Sequence, residues 1–193
     1  MFYVLKLRLP RPSGYATRMT QPLTHEQLVD HKGADMADLI RQLRAAPHIL
    51  RDSVRDLSPQ DLEATPIPGK WSTRQCVEHI ALVSLGWTNI FYEAIAAAHP
   101  NLRHQDPQWA APEEARARLS VTDALDVYER NNLRLADFLA TLPPQDWTRK
   151  FPPVQWLTSP FEIRDHLHWG TIGHLHHHLK FIEEKRAAML TKD

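Results

Sequence analysis

One cysteine, Cys76, occurs in 193 residues. A lone thiol excludes an internal disulfide framework and a zinc site built from several thiolates, so a metal here would need imidazole or carboxylate ligands. The same scarcity fits a reducing compartment, and a cytoplasmic location is the expectation. Net charge is also lacking: 23 lysines and arginines balance 23 aspartates and glutamates. That leaves no global attraction to nucleic acid or to an anionic membrane. No run of 18 apolar residues occurs, which excludes a transmembrane helix on length.

The first 18 residues carry Lys6, Arg8, Arg11 and Arg18 and no acidic residue, a composition shared with organelle transit sequences. Pro10 and Pro12 would stop a helix early, and no continuous apolar stretch marks a secretory signal. Residues 1–22 are therefore expected to form a disordered leader, and residues 23–193 a single domain with one core.

Helix signals dominate that domain. Across 35–57 the residues Met36, Leu39, Ile40, Leu43, Ile49, Leu50, Val54 and Leu57 recur at helical spacing. Ser58, Pro59 and Asp61 read as a cap and start of a short second piece. Pro66, Pro68 and Gly69 break the chain, after which Ser72 and Gln75 form a capping box for a helix over 72–98. Residues 99–112 are polar and proline-containing and predict a crossover loop. A third long helix is expected over 121–142, stopped by Pro143 and Pro144. The last, over 159–189, would start at Ser159 with Pro160 and Glu162, after a short extended piece near Phe151 and Trp156. Four apolar stripes predict an all-α four-helix bundle. The long crossover predicts parallel second and third helices, in up-down-down-up order.

Histidine is abundant, with 12 in the chain, four of them at His174, His176, His177 and His178. His174 and His178 are four apart, so they stand one above the other on a helix beside the stripe of Ile172, Leu175, Leu179 and Ile182. His176 and His177 fall further round, on opposite flanks. An imidazole facing a bundle interior needs a partner, and a metal ion is one choice; a hydrogen-bonded core pair is another. His79 interrupts the apolar run Val77, Ile80, Leu82 and Val83, and is either a third ligand or a satisfied core histidine.

Two segments carry a resemblance. Trp71-Ser72 opens the second long helix with His79 eight residues after the tryptophan, and His174, His177, His178, Leu179 and Ile182 form a second pattern in the last. Together they resemble the signature segments of the DinB/YfiT-like superfamily, in the manner of its YfiT-like branch, and the looser similarity spans about residues 35–184. The resemblance implies a divalent metal, zinc or nickel foremost with iron, manganese or copper as other choices, held by His79, His174 and His178 with His177 beside the site. Gly173 and Phe181 depart from the common pattern, which bears on the pocket lining and not on the triad.

Three neutral imidazoles leave a coordination position open, which is the arrangement of a catalytic site. The resemblance implies two uses of it: activating a low-molecular-weight thiol for S-transfer to an electrophile, as with bacillithiol, or activating water in a metal-dependent hydrolase. The alternative is a non-catalytic metal-binding or stress-response bundle protein. Cys76, one turn before His79, is read as a fourth ligand, a nucleophile or an inert buried thiol. No general base is assigned, so the catalytic residues are left unknown. Small-molecule thiol and electrophile are the expected partners, together with a second copy in a homodimer, which the resemblance includes; nucleic acid and membrane are not expected.

Overall fold

The structure, a computed structural model, describes residues 35–96, 119–151 and 161–190. The expected leader and crossover loop, and the expected cap at Ser159 and Pro160, lie outside the described residues. Helix α1 spans Met36–Val54 and is capped by Asp35, whose carboxylate accepts from the Ala37 N–H at 3.2 Å. It continues through Pro47, which is buried inside it. The short α2, Pro59–Glu63, has the Ser58–Asp61 capping box read from the sequence.

Helix α3 covers Thr73–Ala96. Its start is fixed by reciprocal bonds, from the Ser72 N–H to Gln75 Oε1 at 2.8 Å and from the Gln75 N–H to Ser72 Oγ at 3.2 Å. Helix α4 covers Val121–Ala140, capped by Ser120, and α5 is the single turn Pro144–Trp147. The last helical segment begins at Ile163, after the extended pair Phe161–Glu162. Lys150–Phe151 (β1) pairs antiparallel with Phe161–Glu162 (β2), and the Ile163 N–H donates to Arg149 O at 3.1 Å. This two-residue ladder keeps the chain extended until α6, Ile163–His166, so helix starts four residues later than expected. A π-helical stretch, Leu167–Ile172, then leads directly into α7, Gly173–Leu190.

The four long helical segments pack around one axis in two clusters. One joins Leu39 and Leu43 of α1, Val83 and Phe91 of α3, Leu135 and Leu139 of α4, and Ile163, Leu167 and Ile172. The other joins Leu50 and Val54, Val77 and Ile80, Leu125 and Tyr128, and Leu175, Leu179 and Ile182. Like ends of α3 and α4 thus share a cluster, whereas α1 meets α4 end to opposite end. Arg44 pairs with Asp137 at 2.8 Å and Arg51 with Asp126 at 3.0 Å, so residue numbers rise along one helix as they fall along the other. The result is a four-helix bundle.

Polar groups fix the register of α3 on α4 where the stripes alone would allow slippage. Asn131 Nδ2 donates to Ser84 Oγ and to Thr88 Oγ1, both at 2.8 Å, and Ser84 Oγ donates to Asn132 Oδ1 at 3.3 Å. All four side chains are buried, so each bond replaces hydration lost on folding. No helix among the described residues is long and apolar enough to cross a membrane.

Candidate metal centre

Two elements bring the three sequence-predicted histidines together. His79 lies on α3, about two turns after the Ser72 cap, and faces α7. His174 and His178 lie one turn apart at the start of α7. His174 Nε2 stands 3.1 Å from His79 Nε2 and 3.1 Å from His178 Nε2. The ligating nitrogens of all three lie within 4.8 Å of one another, in a group that could hold a metal ion. Tetrahedral ligands at about 2.0–2.1 Å from zinc sit about 3.3 Å apart, so the spacing suits a shared ion.

Hydrogen bonding alone accounts poorly for this convergence. A neutral imidazole offers one N–H and one lone pair, so His174 Nε2 has a single function for two nitrogen neighbours. An ion at the centre accepts all three lone pairs at once. His178 is buried, and its Nδ1 meets no hydrogen-bond partner among the described residues.

Burial also sets the protonation. It lowers the pKa of His174 to about 3, helped by the nearby His79, and that of His178 to about 2, helped by His174 and His79. Near neutral pH both rings therefore present lone pairs without having to lose a proton, which is the form that ligates metal.

The neighbouring histidines behave differently. His177 is exposed and stands edge-on to His178 with ring centroids 5.3 Å apart, beside the cluster and outside it. His176 is only 5 % exposed; it turns away from the triad, and burial, with His168 nearby, lowers its pKa. Cys76 is absent from the convergent group. Its thiol is buried among apolar side chains and accepts from Lys185 Nζ at 3.5 Å, and burial raises its pKa. This matches the inert reading and supports neither ligand nor nucleophile. Glu78 is buried and paired with Arg74 at 2.5 Å, and the same guanidinium reaches Glu63 at 2.7 Å.

Sequence reasoning missed Lys185, which is 2 % exposed and donates to Phe181 O at 3.1 Å. Its position three residues after Ile182 on the apolar stripe was the available signal. It also missed Lys70, whose Nζ lies 5.7 Å from the Phe181 ring centre across the gap between elements. Only the fold brings those two residues together.

A family model of the DinB superfamily matches residues 42–182. The chain belongs to the DinB superfamily. Among solved structures it is similar to YfiT from Bacillus subtilis, described as a probable metal-dependent hydrolase with an unusual four-helix bundle topology. That likeness has a TM-score of 0.68 at 20 % identity, covering 94 % of this chain and 93 % of YfiT, and it shows a common fold. No curated protein matches the chain. Membership of the DinB superfamily extends over α3 and most of α7, so both ligand-bearing helices lie within the matched region.

Proposed function

We propose that this DinB superfamily member is a metal-dependent enzyme in which His79, His174 and His178 hold one divalent ion, zinc or nickel, and act on a small electrophilic substrate by S-transfer of a low-molecular-weight thiol or by hydrolysis. The observation that carries this reading is the approach of three Nε2 atoms from two helices, with His174 at 3.1 Å from each of the others. The description of YfiT as a probable metal-dependent hydrolase supports the hydrolytic form.

When bound, the ion supplies a Lewis acid that makes a coordinated thiol or water nucleophilic at neutral pH. The chain's own contribution is positional. Three protein ligands leave a tetrahedral ion one position for substrate or solvent. The capping box at Ser72 fixes where α3 starts and so where His79 points, and the bundle core holds α7 against it. Burial keeps His174 and His178 unprotonated, so no proton competes for the ligating nitrogens. No carboxylate of the described residues joins the group, and a proton leaving the nucleophile passes to solvent or to the substrate's leaving group.

The same reading places residues 23–193 in one cytoplasmic bundle domain that pairs as a homodimer. The test is elemental analysis of protein purified without a histidine tag, followed by a screen of thiols and water against a model electrophile. About one equivalent of divalent metal, with turnover that a chelator abolishes, is expected. Metal without turnover in any assay would leave the non-catalytic bundle as the better account, and sedimentation as a monomer at micromolar concentration would remove the dimer.

A further inference from the structure

Two aromatic rings and one lysine stand around the histidine cluster, and they limit what can bind there. Trp71 immediately precedes the Ser72 cap. Its side chain is left 40 % exposed, although its ring centre lies only 4.9 Å from that of His79 and 6.2 Å from that of His178, nearly parallel to the latter at 4°. Phe181, on α7, has its ring 6.0 Å from that of His178. Lys70 is exposed and holds its Nζ 5.7 Å from the Phe181 centre, so the connector before α3 reaches over to α7 beside the cluster.

This rim is built rather than incidental. Gly69 adopts a left-handed φ of 73°, the Lys70 N–H donates to Ile67 O at 3.2 Å, and the capping box holds Ser72. Lys70 and Trp71 are thus pinned on both sides. Lys70 forms no ion pair among the described residues, while Glu63 and Glu78 are paired with Arg74 and Asp61 is bonded to Ser58. Three neutral imidazoles bring no negative charge to a divalent ion, so the ion would keep its full charge toward a ligand. An aromatic wall with one convergent charged group is the usual composition of a small-molecule site.

Resting on the metal reading above, we infer that the site takes an organic anion with a flat apolar body. Its anionic donor atom meets the metal, its apolar part lies against Trp71, and a second negative group meets the Lys70 ammonium. Trp71 and Lys70 are specificity determinants in this arrangement, and neither is a metal ligand.

The test uses the full-length protein loaded with cobalt(II), in which a thiolate-to-cobalt absorption band reports binding without any need for turnover. Three probes are titrated: 4-mercaptobenzoate, thiophenol and 2-mercaptoethanol. The expected order places 4-mercaptobenzoate about fivefold tighter than thiophenol, the size of an exposed ion pair. Lys70→Met should erase that difference. Trp71→Ala should weaken both aromatic thiols and leave 2-mercaptoethanol unchanged, while Trp71→Phe restores most of the aromatic preference. Equal binding of the two aromatic thiols by the unmodified protein, or a preference that survives Lys70→Met, would overturn the inference and leave the metal site standing. A cobalt protein that gives no band with any thiol would overturn the thiol-transfer form of the proposed function, and this inference with it.

Discussion

Gly170 lies directly against the ring of His166: a Cβ added at position 170 would stand 2.1 Å from His166 Cε1. His166 has little room to yield. It is fully buried, with its ring centre 3.6 Å from that of Trp87 and 5.4 Å from that of Phe91. Gly170→Ala should therefore destabilise the protein by about 1–3 kcal/mol, the cost of overpacking a filled core. Chemical denaturation measures it, and a midpoint equal to that of the unmodified protein would show that the contact relaxes freely.

The polar bridge between α3 and α4 should matter for stability and not for metal. Asn131→Ala removes the donor that serves both Ser84 and Thr88, so two buried hydroxyl oxygens lose the bond they accept while still donating to Asn132 Oδ1 and Ser84 O, at about 1–3 kcal/mol. Metal content of the folded variant should match that of the unmodified protein. Loss of metal along with stability would mean that the bridge also positions His79.

Within the histidine run, the rings of His176, His177 and His178 should separate cleanly. His178→Ala should abolish bound metal, because two remaining imidazoles leave a much weaker site. His177→Ala should retain it, since that ring is exposed beside the cluster. His176→Ala should also retain metal but lower the unfolding midpoint, because a side chain 5 % exposed leaves a void behind. Metal analysis with thermal melts on the three variants distinguishes these outcomes, and full metal occupancy in the His178 variant would refute the triad.

Acid should destabilise the metal-free protein over a defined range. Burial first, and neighbouring histidines second, hold His174 near pKa 3 in the fold, and burial holds His166 there too, against the ordinary histidine value of 6.5. The unfolded chain therefore binds more protons than the native one between these values, so unfolding free energy rises with pH there. Stability is complete above about pH 6.5 and is lost progressively as pH falls toward 3. Denaturant midpoints at a series of pH values check this; a flat profile from 7 to 4 would show that these rings are hydrated.

The long helices were legible because their signals are local. Ser72 with Gln75, and Ser58 with Pro59 and Asp61, specify helix starts within four residues, and the stripes of α1 and α4 follow at once. The pair His174 and His178 was legible for the same reason. Its meeting with His79 was not, since no short-range rule joins residues 95 apart; the family resemblance supplied that expectation. An extended piece near Phe151 was expected, but its pairing with Phe161–Glu162 escaped because two-residue strands have no periodicity, and that pairing moved the start of the last helix to Ile163. Lys185 escaped because a lysine is ordinarily assigned to the surface, whereas Cys76 Sγ and Phe181 O receive its amine inside.

The π-helical stretch Leu167–Ile172 makes the site a matter of phase as well as of residue identity. Each π turn accommodates an extra residue relative to an α turn, and one residue of α-helix corresponds to about 100° of rotation. Before and at the start of the stretch, Ile163 and Leu167 are already locked into the core with α1 and α3. Were the same residues to wind as regular α-helix with none removed, His174 and His178 would swing by roughly that angle, away from His79, whereas deleting one residue would restore regular helix in nearly the same phase. A chain could thus keep every ligand, every cap, every apolar stripe and its length and still lose the centre through a change in winding alone.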